Sequence, residues 1–367
     1  MKNKQLVLIG GGHAHMVTLA NLESLTTRGC RVVVIQPSDY HYYSGMGPGM
    51  LGGTYLPEQI RFHTRQVVES QGGIFIRDKA LNIDPVRQLV KLETGNSAVP
   101  YDVLSCNAGS YVPGPGKSTE ESVFSAKPIE RFIRAQQVLL MESRKQQRAV
   151  AIIGGGPSSV EIAGNIWQLT KESPYPPVIT IFAGTQIMNR HPHRVRSLTK
   201  KILSRRGIHF VEGSYVNTME EEEIILDDGS RHPAELFFPA VGVKPSPIFS
   251  RSQLPTGPDG GLLVNPYLQS TAFTNILGGG DCIAFQQQPL DKVGVYAVRQ
   301  NPVLFHNLKA MLTGKDLQTF DPGGSYLRIY NLGGGRGILH KDAFIFSGRI
   351  AFLIKDYIDR KFIRSFS

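Results

Sequence analysis

Cysteine is scarce in this chain of 367 residues: there are three, and no two of them are close in sequence. That spacing excludes a disulfide framework, a Cys-x-x-Cys redox pair and the common zinc-ligand patterns. No apolar run approaches the roughly 18 residues needed to cross a membrane, and the run behind the N-terminus is too short for a signal peptide. We therefore expect a cytoplasmic protein that, if it meets a membrane, lies peripherally at the inner face.

Acidic residues are also few beside the basic ones, with 30 Asp and Glu against 40 Lys and Arg and a net charge of +10. An excess of positive charge is typical of proteins that bind nucleic acid, an anionic membrane surface or phosphorylated ligands. Neither a helix-turn-helix pattern nor an aromatic RNA-binding box accompanies it, so we expect no nucleic-acid partner. Hydrophobic residues make up 41% of the chain, which excludes a disordered protein.

Glycine, in contrast, is abundant and clustered. The apolar run Gln5–Ile9 ends in Gly10-Gly11-Gly12-His13-Ala14-His15. A helix is predicted from there to about Leu25, followed by a second apolar run at Arg31–Ile35. This order predicts a strand, a glycine turn, a helix and a second strand.

The same pattern recurs later in the chain. The apolar run Ala149–Ile153 precedes Gly154-Gly155-Gly156-Pro157-Ser158-Ser159-Val160-Glu161. A helix to about Leu169 and a strand at Val178–Phe182 are predicted to follow. Continuous apolar strands that alternate with helices are typical of a parallel sheet covered on both faces, so we predict the α/β class.

Both glycine turns suit the pyrophosphate of a dinucleotide. Glycine lets the backbone approach the phosphates, whose charge then lies at the N–H groups of the next helix. The first turn has His15, and the second has Ser159, where a third glycine is usual. Two such turns in the predicted context are much more specific than one.

The residue at the end of the second strand of each unit, which usually carries a carboxylate that binds the ribose hydroxyls, departs from that pattern in both units. Gln36, followed by Pro37, ends the second strand of the first unit and can still form hydrogen bonds. The second unit has Phe182 and Ala183 at this position, and their side chains form no hydrogen bonds. No carboxylate is therefore present there to repel the 2′-phosphate of NADPH. The basic segment 189–196 either holds such a phosphate or forms a solvated helix face, and we expect NADPH to be accepted along with NADH.

An acidic segment is expected to be structural. Glu220–Leu226, the turn Asp227-Asp228-Gly229 and Ala234–Phe238 predict a hairpin. The four successive glutamates lie beside this turn, so we interpret them as a solvated strand end and predict no metal site.

Three further motifs extend the pattern across nearly the whole chain. Tyr101–Ser110 contains Asn107-Ala108-Gly109, Phe237–Pro245 contains Gly242, and Asn275–Asp281 ends in Gly280-Asp281. With the two glycine turns, these motifs resemble the two-dinucleotide-fold flavoproteins, also called pyridine nucleotide-disulfide oxidoreductases. In that family one unit binds FAD and an inserted second unit binds NAD(P)H.

The resemblance implies a glutathione-reductase-like architecture of two Rossmann-like, three-layer domains. We expect an FAD-binding domain in residues 1–112 and 246–324, an NAD(P)H-binding domain in 113–245, and a small C-terminal element in 325–367. The implied FAD contacts come from Gly10, Gly12, His13, Ala14, His15, Gln36, Pro37, Ala80, Ala108, Gly109, Gly280, Asp281 and Val293. The implied contacts of the second nucleotide come from Gly154, Gly156, Pro157, Ser158, Ser159, Glu161 and Gly242.

A narrower resemblance rests on residues 10–15 and 43–49. These are similar to the NADH dehydrogenase-like branch that is often found fused to or beside selenide, water dikinase. No dikinase domain is present here, so a link to selenium metabolism is an association only.

The cysteines bear on the type of chemistry. Disulfide reductases of this fold place a cysteine pair against the flavin, where this chain has Tyr43, Ser44, Met46 and Pro48. Thiol–disulfide relay needs two sulfurs within bonding distance, so we expect direct transfer from the nicotinamide to the flavin and on to a small acceptor. We interpret Cys106 and Cys282 as small core residues.

The acceptor side is expected at a helix in 292–300. Type II NADH dehydrogenases carry an Ala-Gln-x-x-x-Gln pattern beside the quinone. Only Gln300 matches it here, with Tyr296 at the earlier glutamine. Gln300 could equally be a helix-capping or solvent-facing amide.

The tail has apolar residues at helical spacing, bordered by cations. The apolar positions are Ile350, Leu353, Ile354, Tyr357, Ile358 and Phe362. Such a helix can lie in a membrane interface, where a lipid quinone is found, or it can dock on the protein's own core or on the partner of a homodimer.

The leading hypothesis is an FAD-dependent NAD(P)H dehydrogenase that reduces a quinone-like acceptor. Two alternatives stay open. One is a reductase of a sulfur or selenium compound or of a protein partner. The other is a flavin-binding, redox-sensing module with little turnover.

Overall fold

The computed structural model describes residues 3–95, 97–113 and 121–366. In the first segment the strands are β1 (Gln5–Ile9), β2 (Arg31–Gln36), β3 (His41–Tyr42), β4 (Arg61–Phe62), β5 (Ile74–Arg77), β6 (Ala80–Asp84), β7 (Leu89–Leu92), β8 (Ala98–Pro100), β9 (Val103–Cys106) and β10 (Ser110–Tyr111). Its α-helices are α1 (Met16–Leu19), α2 (Glu23–Thr26), α3 (Gly47–Leu51) and α4 (Thr64–Ser70).

The middle segment supplies a second α/β unit. Its strands are β11 (Ala149–Ile153), β12 (Val178–Phe182), β13 (His209–Val211), β14 (Val216–Met219), β15 (Glu223–Leu226), β16 (Arg231–Pro233), β17 (Leu236–Pro239) and β18 (Lys244–Pro245). Its helices are α5 (Arg131–Glu142), α6 (Pro157–Thr170) and α7 (His193–Ser204).

The last segment returns to the first unit and then adds a small sheet and a helix. Its strands are β19 (Leu262–Val264), β20 (Ile276–Gly278), β21 (Ile283–Phe285), β22 (Arg328–Asn331), β23 (Gly337–Lys341) and β24 (Phe344–Gly348). Its helices are α8 (Ile248–Arg251), α9 (Gly294–Thr313) and α10 (Arg349–Arg364).

Two parallel sheets organise the molecule. The first has the strand order β20-β9-β1-β2-β5, and the second has the order β13-β12-β11-β17. Both central strands are buried apolar runs, as expected for sheets covered on both faces. Since β20 follows the inserted unit in sequence but pairs with β9, the chain leaves the first sheet and later completes it.

The connections between the two sheets run side by side. Strand β10 leads out of the first unit and pairs antiparallel with β18, which leads back, in the register Ser110↔Pro245 and Tyr111↔Lys244. The predicted domain boundaries at 112 and 245 lie in these connections and stay predictions, and residues 114–120 lie outside the described part.

The predicted hairpin is wrong in its second strand. The turn forms as expected, with the N–H of Gly229 donating to the carbonyl of Leu226. However, β15 pairs antiparallel with β16, whereas β17 pairs parallel with β11. The reason is burial: the four residues of β17 are all buried, and a strand buried on both faces belongs inside the parallel sheet. Glu220–Glu222 are exposed, as the prediction of a solvated strand end requires.

The helix predicted from the first turn to about Leu25 is interrupted. A 3₁₀ turn at His13–His15, α1 and α2 replace a continuous helix. At the break, the side chain of Asn21 donates a hydrogen bond to the carbonyl of Val17. This bond competes with the helical backbone pattern, as asparagine side chains often do. The second predicted helix forms as α6 without a break.

Candidate functional site

The first glycine turn is closed by contact with the neighbouring strand. The N–H of Gly10 donates to the carbonyl of Ile35, and Gly10 has a φ of +82°. A Cβ atom at this position would lie 2.3 Å from the carbonyl oxygen of Asn107. Both the backbone angle and the missing space therefore require glycine here. The turn leads into the 3₁₀ turn and α1.

His15 lies beneath this turn. Its side chain is fully buried, with Nδ1 2.6 Å from the carbonyl oxygen of Gly10 and Nε2 2.8 Å from Oγ of Ser105. Burial lowers the pKa of His15 to about 4. The imidazole therefore occupies the position of a third glycine as a neutral structural group that contacts the turn at the carbonyl of Gly10.

Two amides border the turn. Nδ2 of Asn107 is buried and has no hydrogen-bond partner within the described residues. The side chain of Gln36 donates to the carbonyls of Ser38 and Tyr40 and accepts from the N–H of Gly11. Gln36 is thereby held inside its own loop, and its contact with a ribose stays a prediction, whereas Asn107 has free donors.

The second glycine turn repeats the geometry of the first. Gly154 has a φ of +122°, and a Cβ atom there would lie 2.4 Å from the carbonyl oxygen of Ala240. No heavy atom lies within 4 Å of the corresponding point at Gly156, and Ser158 is exposed, so this turn is open to a ligand. Ser159 is fully buried, and its hydroxyl has no partner within the described residues.

Glu161 lies on α6, the helix that follows the second turn. Its carboxylate accepts a hydrogen bond of 2.7 Å from the N–H of Asn331 in β22. Burial raises the pKa of Glu161 to about 7, although the nearby ammonium of Lys355 acts in the opposite direction. The half-buried carboxyl thus connects the second unit to the C-terminal element.

An ion pair connects the two units at Asp281. The ammonium of Lys127 lies within hydrogen-bond distance of the Asp281 carboxylate and of the Ser110 hydroxyl. Burial acts to raise the pKa of Asp281, but Lys127 outweighs it and holds the pKa below its ordinary value. The carboxylate predicted to bind a ribityl chain is therefore ionised and already paired with a cation.

The residues predicted at the acceptor helix occupy different surroundings. Gln300 on α9 is 1% exposed, and its carbonyl accepts a hydrogen bond of 2.7 Å from the N–H of Gly280. The solvent-facing alternative for Gln300 is therefore wrong, because the amide supports the turn before Asp281. Tyr296, one helical turn earlier, is half-buried and contacts the ring of Tyr326 edge to face.

Five rings form an aromatic cluster beside the first turn: His13, His41, Tyr43, Phe62 and Phe362. The ring of His13 lies 5.1 Å from that of Tyr43 and 5.7 Å from that of Phe362, measured between centroids. Nε2 of His41 lies 3.3 Å from Nδ1 of His13. The cluster thus brings the first turn, β3, β4 and α10 together.

Helix α10 supplies the charged part of this region. Lys355 donates hydrogen bonds of 2.8 Å to the carbonyl of Gly45 and 2.7 Å to the carboxylate of Asp359. Asp359 also accepts a bond of 3.1 Å from the hydroxyl of Tyr43. Burial and the adjacent carboxylate raise the pKa of Tyr43 above its ordinary value. The ion pair and the tyrosine hold α10 over the loop that precedes α3.

The helix docks with a face other than its apolar one. Ala351 and Asp359 are buried, while Ile350, Leu353 and Tyr357 are 66%, 60% and 67% exposed. The predicted helix forms, but the apolar residues that were candidates for packing on the core mostly point outward. Own-core docking therefore occurs through the mixed polar face, and the apolar face is left uncovered.

The other predicted residues are distributed around these elements. Met46 is buried in the second core, Ser44 is exposed and Pro48 is the second residue of α3. Half-buried or exposed positions are Gly12, Pro37, Ala80, Ala108, Gly109, Pro157, Gly242, Gly280 and Val293, whereas Ala14 is buried. No contact between any of these residues and a nucleotide is tested by the geometry, so their roles stay predictions.

Sequence reasoning missed His41 and Lys127 as site residues. His41 is two positions before Tyr43, in a short strand whose alternation could have signalled a shared face. The contact of Lys127 with Asp281 could not be predicted, because the two residues are distant in sequence and Lys127 lies in no recognised motif.

The thiols do not form part of the site. Cys30, Cys106 and Cys282 are all buried and free. Burial raises the pKa of Cys106 well above its ordinary value and that of Cys282 to about 12. Neutral, buried thiols are poor nucleophiles, so the geometry offers no exposed thiolate for relay.

Comparison with known proteins agrees with this architecture. A family model described as pyridine nucleotide-disulphide oxidoreductase matches residues 4–305. Ferroptosis suppressor protein 1 of Xenopus laevis is 27% identical over 341 residues, which cover 87% of this chain and 84% of that protein. The type II NADH:quinone oxidoreductase of Staphylococcus saprophyticus is 22% identical over 344 residues, which cover 87% and 85%.

A solved structure supports the fold independently. The structure of NDH2 from Plasmodium falciparum in complex with NADH covers 98% of both chains with a TM-score of 0.81 and 13% identity. The predicted α/β fold with two dinucleotide-binding domains is thereby confirmed. The association with selenide, water dikinase is not among the similarities found.

Proposed function

Because the chain belongs to the pyridine nucleotide-disulphide oxidoreductase family, we propose that it is an FAD-dependent NAD(P)H dehydrogenase that passes electrons to a quinone-like acceptor. The observation that carries the proposal is the pair of glycine turns with similar backbone geometry. In each turn a glycine with positive φ lies directly against the end of the neighbouring strand. The relatives named as quinone oxidoreductases support the choice of acceptor.

The residues of the first turn suit FAD. Nδ2 of Asn107 is a buried donor without a partner in the described residues, and it lies beside Gly12 of the glycine turn. Asp281 supplies an ionised carboxylate, a group that can accept hydrogen bonds from ribityl hydroxyls. FAD would supply the hydride and electron transfer, for which the side chains present have no substitute.

The second turn suits an exchangeable nucleotide. The open space at Gly156 and the N-terminus of the 14-residue helix α6 offer backbone N–H groups to a pyrophosphate. The residues that end β12 are apolar, so no carboxylate repels a 2′-phosphate. We therefore include both NADH and NADPH as donors.

The absence of a thiol relay favours direct transfer over disulfide reduction. Each cysteine is buried, so the alternative of a sulfur or selenium reductase gains no support from an exposed thiol pair in the described residues. The residues of the aromatic cluster can bind a planar acceptor by stacking, since offset aromatic pairs contribute about 0.5–1.5 kcal/mol beyond burial.

The uncovered face of α10 suits a lipid surface. Ile350, Leu353 and Tyr357 are joined by Phe344 of β24, which is 64% exposed. Arg349, Lys361 and Arg364 border this face with positive charge. Apolar side chains rimmed by cations bind anionic bilayer interfaces, where a lipid quinone is dissolved. Among the described residues no helix meets the length and hydropathy needed to span a bilayer, so we propose peripheral contact.

Rapid mixing of the purified protein with each nucleotide tests the main proposal. We expect a yellow protein whose flavin absorbance bleaches with NADH and NADPH under anaerobic conditions and recovers when a short-chain quinone is added. Flavin that stays oxidised with both nucleotides would refute the donor assignment. Flavin that bleaches but does not recover with the quinone would refute the acceptor.

Sedimentation with vesicles tests the membrane surface. We expect binding to vesicles with anionic lipid that weakens about tenfold in the double variant Leu353→Glu and Tyr357→Glu, because charges replace buried apolar area. Met141→Glu, at an exposed apolar position on α5, is the matched control and should bind as the wild type does. Equal binding by all three proteins would contradict the assignment.

A further inference from the structure

The aromatic cluster contains two histidines whose arrangement differs from that of the surrounding rings. His13 and His41 come from separate elements, the first glycine turn and β3, and their rings meet edge to face with centroids 5.1 Å apart. Nε2 of His41 and Nδ1 of His13 are 3.3 Å apart, within hydrogen-bond distance. The two rings therefore form a continuous path of four nitrogens.

The inner end of this path is available. Nε2 of His13 is buried and has no hydrogen-bond partner in the part of the chain that the structure describes. The parallel ring of Phe362 and the tilted ring of Tyr43 lie beside it. A buried polar atom without a partner is costly, so its retention beside aromatic walls points to a ligand atom.

The outer end of the path is the ring of His41, a half-buried residue. This ring also stacks on that of Phe62, with centroids 6.2 Å apart. The cluster is also adjacent to α10, whose far side carries the proposed lipid-facing residues. An acceptor that entered from a lipid surface would reach the Phe362 side of the cluster, while protons would reach the His41 side.

We propose that His13 and His41 form a proton relay that delivers the second proton to a quinone bound beside Tyr43 and Phe362. This inference rests on the proposed function. The overall reaction is NAD(P)H + H⁺ + quinone → NAD(P)⁺ + hydroquinone, in which the two electrons and one proton originate as the hydride of the nucleotide. The other proton has to be supplied from water.

In the relay, each ring passes on one proton and receives another. The N–H bond at Nε2 of His13 breaks as its proton bonds to a quinone oxygen, and Nδ1 of His13 takes the proton from Nε2 of His41. Nδ1 of His41 then takes a proton from solvent. Both rings stay neutral and exchange tautomers. After the hydroquinone leaves, Nε2 of His13 takes a proton from water in the emptied site, Nδ1 of His13 returns its proton to Nε2 of His41, and Nδ1 of His41 releases its proton to solvent, which restores the first tautomers.

The charges around the rings fit a neutral relay. Burial lowers the pKa of His13 to about 4, with Asp281 acting to raise it and Lys127 to lower it. Burial, His13 and Lys127 lower the pKa of His41 to about 3. Both rings are therefore predominantly neutral near pH 7, which favours proton transfer by exchange of tautomers.

The decisive comparison uses two acceptors with the same reduced protein. A short-chain quinone takes up protons as it is reduced, whereas ferricyanide takes up electrons only. In His41→Gln we expect the ratio of the quinone rate to the ferricyanide rate to fall about tenfold or more, since general acid catalysis contributes about 10²–10⁴-fold and solvent replaces part of it. His63→Gln is the matched control, because this exposed histidine contacts Tyr40 but not the cluster.

The solvent isotope effect supplies a second measurement. The wild type should show a larger D₂O effect on quinone reduction than on ferricyanide reduction, with a curved dependence on deuterium fraction because more than one proton moves. His13→Gln is the second variant and should lower the same rate ratio, provided that its flavin content is measured first.

The possible outcomes distinguish a failure of the proposed relay from a failure of the proposed function. Wild-type protein that reduces ferricyanide but no quinone would overturn the proposed acceptor. If the wild type reduces quinone and His41→Gln keeps the wild-type rate ratio, the relay is wrong. A parallel loss of both rates in His41→Gln would also contradict the relay, since that pattern indicates a structural role.

Discussion

The two glycine turns have similar backbone geometry but different surroundings: the first is covered and the second is open. In both, a central strand ends in a glycine with positive φ that packs against the end of the adjacent strand, at Asn107 in one unit and Ala240 in the other. The first turn is covered by Tyr43, His41 and α10. The second turn is open, with free space at Gly156.

This difference agrees with the two kinds of ligand that we propose for the two turns. A covered turn retains its ligand, because release requires the covering elements to move, whereas an open turn allows exchange. The residue at the third glycine position follows the same division. His15 forms hydrogen bonds on both of its nitrogens, while the hydroxyl of Ser159 has no partner in the described residues.

Substitution of the first glycine of each turn should give the largest contrast. In Gly10→Ala and Gly154→Ala the new Cβ atom would lie 2.3 Å and 2.4 Å from a carbonyl oxygen, which is too close. The positive φ would add a conformational cost of about 1–3 kcal/mol for alanine. We expect Gly10→Ala to lose at least about nine-tenths of its flavin. Gly154→Ala should keep its flavin and bind NADH about tenfold or more weakly. The ratio of flavin to protein absorbance and a nucleotide titration measure both, and flavin loss in both variants would contradict the division.

The third positions should differ in stability. His15→Ala leaves Ser105 and a carbonyl without partners and creates a cavity, so we expect a loss of about 2–4 kcal/mol in the free energy of unfolding. Ser159→Ala removes a buried hydroxyl that has no partner, so we expect no loss and a gain of up to about 1 kcal/mol. Urea unfolding measures both, and a larger loss in Ser159→Ala would reverse the comparison.

Acid should destabilise the covered turn. The pKa values of His13 and His15 are lowered to about 4 and that of His41 to about 3, so the unfolded chain binds more protons than the folded one below the ordinary histidine pKa of 6.5. Stability is therefore complete above pH 6.5 and falls as the pH drops towards 4, by about 1.4 kcal/mol per pH unit for each ring.

Urea unfolding at several pH values measures this slope. His41→Gln should reduce this slope by about one third, because one of the three buried rings is removed. Stability that is constant between pH 7 and 5 in the wild type would show that the rings are not buried as neutral groups.

The smallest effect is expected at the open turn. The basic segment after β12 divides in the structure: His191 contacts Tyr330, whereas Arg190 and Arg194 are exposed. If these arginines hold a 2′-phosphate, the variant Arg190→Ala with Arg194→Ala should raise the KM for NADPH a few-fold, about 1 kcal/mol or less, and leave that for NADH unchanged. If the KM values for NADPH and NADH do not differ in their response, the arginines do not bind the 2′-phosphate, and the segment is a solvated helix face.

Sequence patterns predicted the elements that depend on local order. The two glycine turns, the strands before them, α6, α9 and α10 all follow from periodicity and glycine spacing, because neighbours along the chain determine these features. The pairing of β17 was predicted wrongly because it depends on burial. A continuous helix was predicted where the chain breaks before α2, because that break depends on one side-chain hydrogen bond. The partners of Asp281 and His13 could not be predicted, because Lys127, His41 and Phe362 are remote in sequence.

The linear order of residues was therefore sufficient for the fold class, the family and the two glycine turns. It was not sufficient for the cover over the first turn, the outward direction of the apolar face of α10 or the contact between His13 and His41. These depend on side chains from distant segments meeting in space, and no spacing rule within the chain encodes such meetings.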